Sequence, residues 1–380
     1  MFDILLKGGD VHDGSGKVHA CCDVGIKDGM IAEIARDLST KGSAQIIDVT
    51  GLVVSPGFVD MHTHSDFTLI ADGRAESQVH QGVTTEVIGQ CGISCAPVLS
   101  HDNIRKVAPW YTADAKHKGW LGFSEYLDAL DDTSLGVNVM AFVGHGTIHR
   151  AVMGDELHAG DADDVKKMAK LVEQCIDEGA GGFSSGLEYF PGILAAPEHL
   201  VPMCEVAGKH GRLYATHVRN RDTHYDLGFA EAIATARQSG AKLQISHIQP
   251  KYGAPAYAMN HTLEMIELAR RHDVDIAFDV IPHDWNHTLM AAILPKWAQS
   301  GGIEDVMKRL ADPEARAKIK ANPQPMWLIV KAEKWQDIVL LNATINKAIV
   351  GADFAEIGRM RNCHPYDAVL DILLEEGENM

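Results

Sequence analysis

The sequence predicts an α/β fold, a TIM-like (β/α)8 barrel with a small β-sandwich domain, and three observations predict it. From residue 52 onward, short apolar runs bounded by turn residues alternate with helical patterns, the texture of repeated βα units that build a parallel sheet. Histidine or cysteine closes several of those runs, which is where barrel enzymes carry their chemistry. Ahead of them, residues 1–51 hold short strands joined by tight turns, the first part of the small β domain.

In chain order, ILLKGGDVHDGSG reads as a hairpin and DVGIKDGMIAEI as a second, turning at Asp28-Gly29. Seven buried strands follow: LVVSPGFVDMH, VTTEVIGQC, VNVMAFVGH, GGFSSG, RLYATHV, AKLQISH and VDIAFDVIPH. That is one short of a closed barrel. Between them, Val165, Met168, Ala169, Val172, Cys175 and Ile176 recur on one helical face, the mark of a helix packed on the sheet. Past residue 284 the pattern loosens into WNHTLMAAILPKWAQSGG, then the helical stretches IEDVMKRL and EARAKIK. The expected division is 1–51 for the β domain, 52–284 for barrel strands one to seven, 285–360 for a lid-like helical insertion and 361–380 for a return to the barrel, its eighth strand and C-terminal part missing.

With 380 residues, 46% of them hydrophobic, the chain can bury one large core. A formal charge of −18 argues against nucleic acid or an anionic membrane as partner, since both need a basic footprint. The start, MFDILLKGGDVHDGSG, fits neither a signal peptide nor a spanning helix. Seven cysteines without CxxC spacing predict free thiols rather than a disulfide framework, in a cytoplasmic protein.

The strongest local signal is Val59-Asp60-Met61-His62-Thr63-His64, an apolar run ending in HxH. Residues two apart in a strand point the same way, so His62 and His64 can converge on one ion. Cys91, His217 and His247 each end a predicted strand. Closing the barrel brings these five to one mouth, and imidazole and thiolate suit zinc and related ions. Each taken alone has a plainer reading: a hydrogen-bonded core histidine, or a free cysteine acting as a small buried hydrophobe. His145, ending VNVMAFVGH, lines the pocket or supports the ligands, and His283 and His287 follow strand seven.

The phrases SPGFVDMHTHSD, QGVTTEVIGQCG, FVGHGTIHRAVMG, GAGGFSSGLEYFPG, YATHVRN, QISH, ILPKWAQSGG and DAVLDILLEEG stand in the order and approximate spacing of a known family. The sequence resembles, over essentially its whole length, the D-aminoacylases: N-acyl-D-amino-acid deacylases of the amidohydrolase superfamily. The resemblance implies zinc-dependent hydrolysis of the amide of an N-acyl-D-amino acid, releasing a carboxylate and a free D-amino acid. It implies a tight zinc on Cys91, His217 and His247, with His62 and His64 outlining a second, weaker position. Tyr189 matches a position that contacts the substrate carboxylate. The family lysine two residues after the strand-six histidine is Gln249 here, with Lys251 two residues further on, and Arg221 and Asp222 follow THVRN where an acidic residue is commoner. The family's acid/base, an aspartate after strand eight, has no match, and neither Asp279 nor Asp284 takes that role, so the catalytic residue stays unassigned. A truncated version of a longer enzyme is the expectation.

Two other readings stay open. A cyclic-amide hydrolase of the hydantoinase or dihydroorotase kind is disfavoured by Cys91 and by the absence of a lysine in GGFSSGLEYFPG. A non-catalytic scaffold that kept the barrel is disfavoured by the retained HxH, Cys91, His217 and His247. The expected partner is a small-molecule substrate. Oligomeric state is left open, with the segment around Trp285 and Trp297 covering either the site or a subunit interface.

Overall fold

The amino-terminal strands pair as their turns dictate. β1 (Ile4–His12) runs antiparallel to β2 (Val18–Lys27), which runs antiparallel to β3 (Met30–Ala35). Asp28 and Gly29, which join β2 to β3, have φ of 51° and 73°, the two positive values that a type I′ hairpin turn demands. β4 (Gln45–Asp48) and β5 (Val53–Val54) add in parallel to β1. The small core here is Val11, Cys22 and Val24. The computed structural model describes residues 1–100, 119–154, 158–300, 302–323 and 327–377. Residues 1–59 with 80–84 form one compact unit, and 60–79 with 85–380 the other.

The second sheet runs in strict sequence order: β6 (Phe58–Asp60), β7 (Val83–Ile88), β8 (Asn138–Gly144), β9 (Gly182–Gly186), β10 (Leu213–His217), β11 (Lys242–Ile245) and β12 (Ile276–Phe278). From β7 to β12 every neighbouring pair is parallel. Among the described residues this sheet holds seven strands, one at each place where the sequence puts a buried run. It is the curled sheet of a (β/α)8-type barrel.

Side-chain alternation splits the strands between two environments. Val87, Phe142 and Ala215 form a small cluster of their own. Ile88, Val143, Phe183, Tyr214, Leu243 and Ile245 instead join the large core shared with the helices. One of those helices, Ala162–Asp177, starts where the Asp161 carboxylate accepts hydrogen bonds from the backbone of Asp163 and Asp164, and it buries Val165, Met168, Val172, Cys175 and Ile176. Capping satisfies donors that the first turn would leave unpaired, and the buried set is the face that the sequence spacing picks out.

The helices Gly302–Ala311, Pro313–Ala321, Phe354–Arg361 and Pro365–Glu376 cover the region where the pattern loosens. They have a separate core built from Leu294, Leu310, Ile319, Ile357, Leu370 and Leu373 among others.

Candidate metal centre

The candidate donors come from the ends of four strands. His62 and His64 follow β6, Cys91 lies three residues past β7, His217 closes β10, and His247 lies two residues past β11. Cys91 Sγ is 3.3 Å from His62 Nε2, 3.6 Å from His247 Nε2 and 3.7 Å from His217 Nδ1. A tetrahedral ion with Zn–S of about 2.3 Å and Zn–N of about 2.0 Å would set S···N near roughly 3.5 Å. The sulfur-to-nitrogen spacings therefore match those around a zinc-sized ion. His62, Cys91 and His247 have ligand atoms mutually within 4.8 Å, and His217 joins through Cys91.

His64 stands apart from this cluster. β6 ends at Asp60, so both histidines lie on the loop beyond it, where the alternation of strand side chains no longer governs direction. His62 turns inward, its side chain 13% exposed. His64 is exposed, its ring centroid 5.4 Å from that of His62.

Two donors sit on unusual backbone. Cys91 has φ of 53° and His247 of 35°, values that residues other than glycine seldom adopt and that cluster at functional sites. The surroundings hold them there. Asp66 Oδ1 accepts from Gly89 N at 2.7 Å, tying the start of the helix Asp66–Ala71 to the loop after β7. Asp279 Oδ1 accepts from His247 N at 2.6 Å, its Oδ2 accepts from Gln244 Nε2 at 2.9 Å, and it lies 3.4 Å from His62 Nδ1.

The charge states follow from this packing. Burial opposes a thiolate at Cys91, but the charge of His62 and the close approach of the His217, His247 and His62 ring nitrogens outweigh it and pull the thiol well below its ordinary range. Burial likewise opposes a charged His62, yet the Cys91 and Asp279 charges raise its pKa. Burial, with Arg221 and His217 nearby, pushes His247 down to about 3, leaving a neutral imidazole. The Cys91 thiolate and the neutral His247 imidazole are in the forms that ligate metals, whereas His62 must release its proton to join them.

Glu188, which no sequence pattern singles out, is also here. Its Oε2 meets His217 Nε2 at 2.6 Å and Lys251 Nζ at 2.5 Å, and its side chain is 1% exposed. Burial opposes its charge, but the His217 hydrogen bond and the Lys251 charge hold its pKa at about 2.

A profile of the amidohydrolase family matches residues 45–326, three quarters of the chain and all of these donors. The chain belongs to the amidohydrolase family. It is 36% identical over 297 residues to the D-aminoacylase of Alcaligenes xylosoxydans xylosoxydans, an alignment covering 76% of this chain and 59% of that protein. The N-acyl-D-glutamate deacylase of the same organism is 32% identical over 288 residues, covering 76% and 58%. The chain thus spans under three fifths of the length of these relatives.

Among solved structures, an N-acyl-D-glutamate deacylase from Bordetella bronchiseptica complexed with zinc and a phosphonate inhibitor superposes with a TM-score of 0.79 at 26% identity, covering 98% of this chain and 70% of that one. A D-aminoacylase described as defining a novel subset of amidohydrolases gives 0.77 at 29% identity, with the same coverages. A further D-aminoacylase structure concerns a binuclear metal centre.

Around the centre of this amidohydrolase, the Tyr189 ring stands edge-on to His217, 4.7 Å between centroids. Lys251 lies over the Trp327 ring at 5.5 Å while bonded to Glu188. Asp284, His283 and His287 are exposed, with the two histidines flanking Trp285. No helix among the described residues is long and apolar enough to cross a membrane.

His145 lies in the first turn of the helix His145–Met153, 1% exposed, and among the described residues neither ring nitrogen has a hydrogen-bond partner. Its ring neighbours are His149 and Phe183. Burial first, then His149, pushes its pKa down to about 3 from the ordinary 6.5. The unfolded chain takes up a proton near that ordinary value and the folded imidazole does not, so stability is lost as pH falls below it. Between pH 7 and 5 this one group removes about 2 kcal/mol. Urea titrations of His145→Gln at those two pH values are expected to show the acid-induced loss reduced by about that amount. An undiminished loss refutes the assignment.

Proposed function

We propose that this chain carries the catalytic centre of a zinc-dependent N-acyl-D-amino-acid deacylase, cleaving the amide to a carboxylate and a free D-amino acid. The observation that carries the proposal is the convergence of Cys91, His62, His217 and His247 at 3.3–3.7 Å around one thiolate. The similarity to deacylases of D-amino acids supports the substrate class.

In this reading Cys91 and His247 are the core of the zinc site. His217 completes the tight position and His62 approaches the same thiolate from the other side, with His64 extending toward a second, weaker one. Bound there, the ion lowers the pKa of water toward neutrality and polarises the amide carbonyl. Asp279 holds His247 by its backbone and orients His62, so its oxygens serve positioning. Tyr189 and Lys251 meet the substrate carboxylate, and the buried charge of Arg221, whose Nη1 donates to His247 O at 2.6 Å, adds to the positive field there. The free cysteines fit a reducing, cytoplasmic setting.

The test is bound-metal content together with hydrolysis of N-acetyl-D- and N-acetyl-L-amino acids. Zinc bound with turnover of the D compounds alone is the expected result. Zinc bound without turnover makes the chain a metal-binding scaffold, and no bound metal overturns the proposal.

A further inference from the structure

We infer that Glu188 is a positioning residue for His217, and that Lys251 is the counter-ion which lets a buried carboxylate do this. The inference rests on reading the cluster as a metal centre. His217 presents Nδ1 to Cys91 Sγ at 3.7 Å, and its other nitrogen, Nε2, meets Glu188 Oε2 at 2.6 Å. An imidazole carries one N–H in its neutral form, and a carboxylate can only accept. The proton is therefore fixed on Nε2, and the Nδ1 lone pair is left toward the site. Which nitrogen of a histidine ligates is set in this way by what the other one bonds.

Glu188 is 3% exposed, and an uncompensated charge at that depth is costly. Lys251 Nζ sits on the same oxygen, Oε2, at 2.5 Å. The Tyr189 ring, edge-on to His217, closes a side of the imidazole that the hydrogen bond leaves free to tilt. The row Lys251–Glu188–His217 thus spans from the loop after β11, through the loop after β9, to the end of β10, and it joins three segments of the barrel mouth through one carboxylate oxygen.

The experiment measures Co2+ affinity by chelator competition, with the Co2+ absorption spectrum, on the full chain and its Glu188→Ala, Lys251→Met and Glu188→Gln/Lys251→Met variants. Glu188→Ala is expected to weaken Co2+ binding about 10- to 100-fold and to alter the ligand-field bands. The double variant puts an amide oxygen against His217 with no stranded charge, and is expected to return to within about threefold of wild type. Thermal midpoints of the metal-free proteins separate this from loss of folding. Co2+ affinity and spectrum unchanged in a folded Glu188→Ala protein overturn the inference, as does a double variant as weak as Glu188→Ala. If the wild-type chain binds no Co2+, the metal-centre reading itself falls and takes the inference with it.

Discussion

Replacing Cys91 with alanine is expected to weaken metal binding about a hundredfold and to abolish hydrolysis. The thiolate is the hub of the cluster: three imidazoles approach it and it belongs to each closest pair of donors. Structural zinc sites with four ligands bind with roughly 10–16 kcal/mol, so one ligand is worth on the order of 3 kcal/mol, or about a hundredfold in affinity. Cys91→Ser is expected to match Cys91→Ala, because a serine hydroxyl is not deprotonated at neutral pH whereas this thiol is held well below its ordinary range. Equilibrium dialysis followed by metal analysis reads the result, and circular dichroism checks that the fold persists. Wild-type zinc affinity in either folded variant would falsify the donor assignment.

The largest effect on folding is expected from Gly89→Ala. Gly89 has φ of 76°, and a Cβ there would lie 2.0 Å from the carbonyl oxygen of Phe142 in β8. Backbone cannot swing aside as a flexible side chain can, so the loop that carries Cys91 must move away from the sheet. The strain of the left-handed conformation adds about 1–2 kcal/mol, and with the clash the expected loss is on the order of 3–5 kcal/mol. Gly211→Ala is the control: its φ is 65° but nothing lies within 4 Å of a Cβ. It is expected to show only the conformational part, about 1 kcal/mol. Denaturant titrations of both variants give the comparison, and equal losses would show that the close approach at Gly89 is not the cause.

The sheet was legible because short runs with apolar residues toward the core, bounded by turn residues, mark the strands of a parallel sheet. VTTEVI, VMAFVG, LYATH and KLQI stand out from their turn-rich flanks for that reason. What the strings could not show is where each strand stops. VTTEVIGQC reads through to Cys91, but pairing ends at Ile88 and the next residue, Gly89, turns with positive φ. Cys91 is thus a loop residue held by Gly89 and Asp66, and its aim depends on a hydrogen bond from another βα unit. The same holds for HxH, whose two histidines part company once the strand has ended.

Glu188 was invisible for a related reason. It lies between Leu187 and Tyr189 in GLEYFPG, where a glutamate looks like a solvated loop residue. Only the register of β9 with β10, which sets Gly186 opposite His217, brings it under the imidazole. Asp279 lies inside the run VDIAFDVIPH but directly follows β12, a strand-end place like those of Cys91 and His247, yet it serves backbone nitrogen and a neighbouring ring. Residue type and position at a strand end nominate a ligand; which atoms are already engaged decides.

The helices that follow residue 290 keep their own apolar interior, and among the described residues no buried one there belongs to the core beneath the sheet. All the donors come from residues 62–247, and Trp327, against Lys251, brings the helical part to the edge of the site. Inheritance can therefore act on the two parts separately. Drift, insertion or exchange within the helical part can reshape what reaches the mouth of the barrel while the ligands stay under selection of their own, and new preferences for substrate can arise without passing through an ancestor that has lost its metal.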